Sequence, residues 1–141
     1  MIKIYIDDFY TGDRNENSKD ASERISDYCH GVSTDIEIYS HDEYLFIHMW
    51  DESLTFPNIV YIENLYISVD VANLNLSFPD LTKVGELQCY GQIVNFGKLK
   101  EIDLFIDDYF EPISRKSLGD NMYRFTNKET GEQWDIKINE I

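Results

Sequence analysis

The amino-acid sequence predicts a mostly β protein of the α+β class, in which one helix accompanies a series of short strands. Three observations support this prediction: alternating apolar residues at the N terminus, one stretch with helical periodicity, and an internal repeat in the middle of the chain. A chain of 141 residues is one domain's worth and can bury roughly two-thirds of the surface that its unfolded form exposes. We therefore expect one domain (1–141), divided into an N-terminal cap (1–43), a repeat region (44–110) and a C-terminal hairpin cap (111–141).

The N-terminal part predicts one strand followed by one helix. Isoleucines alternate with polar or aromatic residues over Met1–Phe9, which is the period of a half-buried strand. After a polar loop, apolar residues with helical spacing predict a helix from about Lys19 to His30. Asp20 and Glu23 have the spacing of a capping box at its start, and Gly31 has the position of a C-terminal cap.

Two pairs of strands are predicted from alternation and turn residues. The first pair, Ile36–Ile38 and Tyr44–Trp50, is joined by the polar turn Ser-His-Asp-Glu. The second pair, Tyr123–Phe125 and Gln133–Ile138, is a predicted hairpin in which Gly131 supplies the turn. Its apolar residues are expected to form a buried or binding face.

The middle of the chain repeats one apolar pattern three times. The copies FPNIVYIENLYIS, FPDLTKVGELQCYG and FGKLKEIDLFIDD begin at Phe56, Phe78 and Phe96. The third copy is aligned with the others by dropping one residue before its last apolar pair. This alignment predicts that Leu104 and Ile106 point inward, as Leu65 and Ile67 do in the first copy. Each copy is expected to form a short strand and a turn stacked on its neighbour.

These copies resemble the rungs of leucine-rich-repeat solenoids, particularly the receptor-L-like forms with an FPxLxxIxxLxI pattern. The resemblance covers about residues 44–110. It implies a short β-solenoid of three to four rungs, capped by the N-terminal strand and helix and by the C-terminal hairpin. It also implies a scaffold for binding rather than an enzymatic activity.

The sequence contains none of the residue patterns that we associate with catalysis or metal binding. Asp7-Asp8 and Asp107-Asp108 each offer only one carboxylate per sheet face, and we expect them to end strands and to oppose pairing at sheet edges. Cys29, Cys89 and the histidines lack zinc-binding spacing, and Cys89 is expected to be a small core residue. Nucleotide-binding glycine patterns and a nucleophile elbow are also missing. We expect a non-enzymatic protein without a cofactor or metal.

The charge of the chain restricts its partners. The chain has 27 acidic and 12 basic residues and a net charge of −15, which argues against direct binding to nucleic acid or to anionic membranes. No Lys or Arg occurs between Ile25 and Thr82, where ten acidic residues fall. We expect a basic or nucleic-acid-binding protein as the partner and leave the oligomeric state open. The cysteine usage and the lack of a signal-peptide pattern favour the cytoplasm of a bacterial or phage-infected cell.

The outward face of the predicted strands combines aromatic side chains with carboxylates, as protein interfaces do. The candidate partner-binding residues are Asp42, Glu43, Phe46, Tyr66, Glu86, Tyr90, Asp103, Phe105 and Asp107. The alternative is that the terminal helix or hairpin covers this face.

Three classes of function fit these properties. The first is an inhibitor of a nucleic-acid-handling protein, acting partly by nucleic-acid mimicry, because small acidic chains without catalytic motifs are similar in these properties to phage anti-CRISPR and anti-restriction proteins. The second is an immunity or antitoxin protein that neutralises a basic bacterial toxin. The third is a general leucine-rich interaction module. We favour the inhibitor.

Overall fold

The computed structural model describes residues 2–12, 16–32, 36–41, 44–49, 54–56, 58–69, 76–90, 97–109 and 113–141. In chain order the elements are β1 (Ile2–Thr11), α1 (Ser18–Val32), β2 (Ile36–His41), β3 (Tyr44–Met49), β4 (Leu54–Thr55), β5 (Ile59–Val69), β6 (Leu76–Ser77), β7 (Lys83–Tyr90), β8 (Glu101–Tyr109), β9 (Ile113–Gly119), β10 (Met122–Asn127) and β11 (Gln133–Glu140). The predicted α+β, mostly β class is confirmed. No helix in these ranges is long and apolar enough to cross a membrane.

Nine of the strands form one mixed sheet in the order β2-β3-β1-β5-β7-β8-β11-β10-β9. The central strands β5, β7, β8 and β11 are parallel to their neighbours in this series. The remaining neighbours in the sheet are antiparallel. The short strands β4 and β6 form a separate parallel pair.

The predicted leucine-rich-repeat-like solenoid is wrong. The first two repeat copies do lie side by side, because β5 pairs with β7 in parallel and Leu65 aligns with Leu87. A solenoid, however, requires each repeat to contact only its neighbouring repeats. Here β1 pairs with β3 on one side and with β5 on the other, so it lies inside the sheet instead of covering an end. The C-terminal β11 extends the same sheet next to β8. The division into one domain with boundaries after residues 43 and 110 stays a prediction.

Four neighbouring strands depart from simple alternation at the same level of the sheet. Residues on one face of a regular strand are two positions apart, whereas the buried residues here are three apart. The pairs are Ile6 and Phe9, Ile62 and Leu65, Val84 and Leu87, and Ile102 and Phe105. Asp8, inside this step on β1, has the left-handed φ of 51°.

This three-residue step corrects the predicted orientation of the third repeat. Phe105 is only 1% exposed and aligns with Leu87, so the prediction that it points outward is wrong. The prediction that Leu104 and Ile106 are the inward pair is wrong as well, since both are half-buried and flank Phe105. The third copy keeps the step between Ile102 and Phe105, and no residue is dropped.

The pair Asp7-Asp8 does not end a strand, contrary to our expectation. Asp7-Asp8 lies within β1, which is hydrogen-bonded to β3 on one side and β5 on the other. Asp107-Asp108 lies just before the last residue of β8, and its side chains are outside the described residues, so the expectation for this pair stays a prediction. Protection of a sheet edge is therefore not the role of the first pair.

The single described helix packs on the N-terminal half of the sheet. The predicted helix is confirmed, although it extends over Ser18–Val32 and includes Gly31, which is therefore not a C-terminal cap. Its N-terminal cap is Asn17, whose Oδ1 accepts a hydrogen bond of 2.9 Å from the backbone N–H of Asp20. Asn17 therefore caps the helix, whereas we expected Asp20 to be the capping residue. The helix contacts β2, β1 and β3.

The C-terminal segment forms three antiparallel strands, of which the sequence predicts two. The predicted hairpin is β10 and β11, and Gly131 in its turn has a φ of 78°. Strand β9 was not predicted. It is joined to β10 through Asp120 and Asn121, whose φ values of 53° and 63° are those of a tight two-residue hairpin turn.

The hydrophobic core lies on one side of the sheet, which we call the inner face. The core joins inward sheet residues such as Ile4 and Ile47 to Ala21, Ile25 and Cys29 of α1. Further along the sheet, the segments around β4 and β6 contribute Leu54, Phe56 and Phe78 to the same core. The rings of Phe56 and Phe78 stack with centroids 4.8 Å apart. The opposite side of the sheet, the outer face, carries the functional candidates.

Candidate protein-binding surface

The outer face carries a row of aromatic side chains across four adjacent strands. The row consists of Tyr39, Phe46, Tyr5 and Tyr66 on β2, β3, β1 and β5, and each residue is the register partner of the next. Since neighbouring strands lie about 4.8 Å apart, this aromatic row is about 14 Å long.

Alternation along the strands places these rings on the outer face. Tyr5 lies between the buried Ile4 and Ile6, and Tyr66 lies between two buried residues of β5. Tyr39 is 63% exposed, and the other three members are half-buried.

Contacts between rings hold three members of the aromatic row, Tyr39, Phe46 and Tyr5, in place. The centroid distances are 6.4 Å for Tyr39–Phe46, 5.8 Å for Tyr5–Tyr44, 5.4 Å for His41–Tyr44 and 4.5 Å for Phe46–His48. Side chains that are already ordered lose less conformational entropy when a partner binds. The row is therefore a preformed apolar platform.

Carboxylates border the aromatic row on both sides. Asp7 and Glu86 lie on one side, where Asp7 aligns with Asn64 and Asn64 aligns with Glu86. Glu37 lies on the other side, and its Oε2 is 3.8 Å from Nδ1 of His48. The pKa of Tyr5 is raised, first by burial and then by the negative charge of Asp7, to which its hydroxyl is hydrogen-bonded. The Tyr5 hydroxyl therefore stays protonated and remains a hydrogen-bond donor.

A glycine on β7 leaves room for a tyrosine–glutamate pair on the neighbouring strand β5. The Tyr61 hydroxyl donates a hydrogen bond to the Glu63 carboxylate. This bond, followed by burial and by the charge of Glu63, raises the pKa of Tyr61 to about 12. Glu63 lies over Gly85, where a Cβ would be 2.6 Å from the Glu63 carbonyl oxygen. Only glycine fits at that position without a shift of the backbone.

Asp103 lies on the outer face, but other side chains hold its carboxylate. Nδ2 of Asn139 donates a hydrogen bond of 2.9 Å to Oδ1 of Asp103. Nζ of Lys83 is 3.6 Å from the same oxygen and also 3.6 Å from Oε2 of Glu101. Asp103 is therefore less available to a partner than the carboxylates beside the aromatic row.

The structure brings together some of the sequence-predicted binding residues. Phe46, Tyr66 and Glu86 lie on the outer face, within or beside the aromatic row. Phe105 does not join them: it packs edge-on against Phe125 at 5.9 Å on the inner face. Asp42 and Glu43 lie outside the described residues, as do the side chains of Tyr90 and Asp107.

Sequence reasoning missed half of the aromatic row. Tyr5 and Tyr39 were not among the candidates, nor were Asp7 and Glu37 as bordering charges. Alternation in Ile-Tyr-Ile and Ile-Glu-Ile-Tyr places all four on the side opposite the isoleucines. This signal was in the sequence, but the adjacency of β1 to β3 and β5 was not.

Reactive groups elsewhere in the described part of the chain have structural roles. Cys29 is buried in the core, and burial raises the pKa of its thiol to about 12, so it is not a nucleophile at neutral pH. Nε of Arg24 is 2.8 Å from Oε1 of Glu16, and the hydrogen bond from Arg24 lowers the pKa of the Glu16 carboxyl. Within the described ranges, no three His, Cys, Asp or Glu residues are grouped to hold a metal ion.

Comparison of the chain with protein-family models, with curated proteins and with solved structures finds no match. No family model supports the resemblance to leucine-rich repeats, which the open mixed sheet already contradicts.

Proposed function

We propose that this chain is a non-enzymatic inhibitor that binds a basic, nucleic-acid-handling protein through the outer face of its sheet. The observation that supports this proposal is the preformed aromatic row with carboxylates on both sides. Large aromatic side chains supply most of the energy at protein interfaces, while charge at their rim guides association.

The electrostatics of the outer face match a basic partner. On strands β2, β3, β1, β5, β7 and β8 of this face, the described carboxylates are Glu37, Asp7, Glu63, Glu86, Glu101 and Asp103, and the described cations are Lys3 and Lys83. Together with the net charge of −15, this excess attracts a positively charged groove and speeds association. A protein that binds nucleic acid presents such a groove, and an acidic surface docked there excludes the phosphates. Inhibition follows from occupation of the groove and needs no catalysis.

Helix α1 leaves the outer face accessible to a partner. Its buried residues Ala21, Ile25 and Cys29 belong to the core on the inner face. The C-terminal strands extend the sheet beyond β8. Within the described residues, neither of these terminal elements covers the aromatic row.

The proposal can be tested by capture followed by an inhibition assay. The immobilised chain is exposed to cytosolic extract of its native host beside the variant Tyr5→Ser/Phe46→Ser. A matched control, Tyr28→Ser/Leu118→Ser, removes two apolar side chains that are 39% and 42% exposed outside the aromatic row. Far-UV circular dichroism checks that each variant is folded.

We expect the wild type and the control to capture a host protein that the row variant does not capture. This captured protein should bind an oligonucleotide, and it should lose that binding when the chain is added. Oligonucleotide binding is measured by fluorescence anisotropy, and the inhibition should weaken as salt increases. If the retained protein keeps its oligonucleotide binding at saturating chain, or if the row variant captures it equally well, the proposed function is wrong.

A further inference from the structure

We infer that the outer face recognises arginine rather than lysine side chains on its partner. This inference rests on the proposed function and names the chemistry of the partner. A guanidinium is planar, stacks on aromatic rings and donates paired hydrogen bonds to a carboxylate. A lysine ammonium is a compact, strongly hydrated charge that does not combine both interactions equally well.

Each ring of the aromatic row has a carboxylate close by on the outer face, either two residues along the same strand or in a diagonal position on a neighbouring strand. Tyr39 and Tyr5 have Glu37 and Asp7 two residues along their own strands, at about 7 Å. Phe46 is diagonal to both of these carboxylates, because its strand neighbours His48 and Tyr44 align with them.

The same relation holds at the other end of the row. Tyr66 is diagonal to Asp7 and Glu86, because its strand neighbour Asn64 aligns with both. Diagonal neighbours in a sheet are about 7–8 Å apart. A guanidinium within about 6 Å of a ring centroid therefore has a carboxylate within reach of its outer N–H groups.

Both kinds of contact already occur within the chain: a guanidinium near aromatic rings, and a guanidinium that donates paired hydrogen bonds to a carboxylate. The guanidinium of Arg115 lies 5.6 Å from the ring centroid of Phe105 and 5.7 Å from that of Tyr123. Arg24 donates two hydrogen bonds to Glu16, of 2.8 Å from Nε and 3.1 Å from Nη2. Both contacts occur away from the aromatic row.

Arginine is missing from the described part of strands β2, β3, β1, β5, β7 and β8, on which the aromatic row and its bordering carboxylates lie; Arg124 on the outer face of β10 is paired with Asp135. The described cations of these six strands are Lys3, which aligns with His48 beside the aromatic row, and Lys83, which is paired with Glu101 and Asp103. Guanidinium groups that stack on the row therefore come from a partner, and they share the Asp7 carboxylate with the Tyr5 hydroxyl that is hydrogen-bonded to it.

The test compares three fluorescent peptides of equal length that carry six arginines, six lysines or six citrullines. Citrulline keeps the planar shape of arginine without its charge. Dissociation constants are measured by anisotropy at several salt concentrations. At physiological salt we expect the arginine peptide to bind about tenfold more tightly than the lysine peptide, since two stacked guanidiniums supply that much discrimination. The citrulline peptide should not bind.

Two variants separate stacking from charge. Tyr5→Leu/Phe46→Leu keeps apolar bulk but removes two rings. The arginine and lysine peptides should then bind this variant with nearly equal dissociation constants. Asp7→Asn/Glu37→Gln/Glu86→Gln should weaken the binding of both charged peptides. Tyr28→Leu on α1 is the control and should bind as the wild type does.

The outcomes distinguish this inference from the proposed function. If the arginine and lysine peptides bind equally and both lose affinity in the charge variant, the preference for arginine is wrong and the proposed basic partner stands. If neither peptide binds, or if no variant of the outer face changes binding, both proposals are wrong.

Discussion

Gly85 on β7 lies directly against the backbone of β5. A Cβ at this position would be 2.6 Å from the carbonyl oxygen of Glu63, a backbone atom that moves only with its strand. We expect Gly85→Ala to lower the free energy of unfolding by about 1–3 kcal/mol, the usual effect of overpacking. Urea unfolding followed by circular dichroism measures the change.

Gly31 provides the matched control. It lies in α1, and a Cβ there would have no neighbour within 4 Å. Gly31→Ala is expected to raise the free energy of unfolding by about 0.5–1 kcal/mol, because alanine favours the helix. Equal effects of the two substitutions would contradict the close contact between β5 and β7.

The orientation of single residues could be predicted only where the strands alternate regularly. Phe46 and Tyr66 were correctly expected on the outward face, since each lies between buried residues two positions apart. Phe105 was expected on the wrong face because β8 places its buried residues three apart, at Ile102 and Phe105. A step of this kind depends on neighbouring strands that share it, which a local pattern does not reveal.

The N-terminal cap of α1 lies three residues before the one that the sequence predicts. The pair Asp20 and Glu23 has the capping-box spacing, but Asp20 is itself the third helical residue after Asn17. The N–H of Asp20 donates to Oδ1 of Asn17, and the N–H of Ala21 donates to its carbonyl oxygen. These hydrogen bonds assign the cap to Asn17 and contradict the predicted capping box at Asp20.

We expect Asn17→Ala to lower the free energy of unfolding by about 1 kcal/mol, because the first turn loses its side-chain acceptor. Asp20→Ala should lower it by about 0.3–1 kcal/mol, through lost attraction to the helix dipole alone. Thermal and urea unfolding measure both variants beside the wild type. A larger effect of Asp20→Ala would restore Asp20 as the cap and contradict the observed geometry.

The strand order could be predicted only where the sequence repeats. The 22-residue repeat indicates that β5 and β7 are neighbours, as Leu65 and Leu87 are. No repeat relates Ile2–Thr11 to Ile59–Val69, yet β1 pairs along nearly the length of β5. Pairing between segments so far apart in the chain depends on the assembled core. The aromatic row, which needs β1 between β3 and β5, was hidden for the same reason.

The excess of negative charge opposes both the compactness of the chain and its self-association. A net charge of −15 creates repulsion that the described ion pairs, such as Arg24–Glu16 and Lys83–Asp103, offset only locally. Such a charge keeps a protein soluble and monomeric while it destabilises the folded state. The same charge favours association with a basic partner, so salt should act in opposite directions on folding and on binding.

We expect the melting temperature of the free chain to rise by at least about 3 °C between 20 and 500 mM NaCl, which corresponds to about 1 kcal/mol for a chain of this size. Added salt shortens the Debye length from about 20 Å to about 4 Å and thereby screens the repulsion among carboxylates. The variant Asp7→Asn/Glu37→Gln/Glu86→Gln, with three fewer charges, should show a smaller rise. Over the same salt range the affinity for the arginine peptide should fall. A melting temperature that falls with salt would mean that the ion pairs outweigh the repulsion, and an affinity that does not fall would mean that the rings alone drive binding.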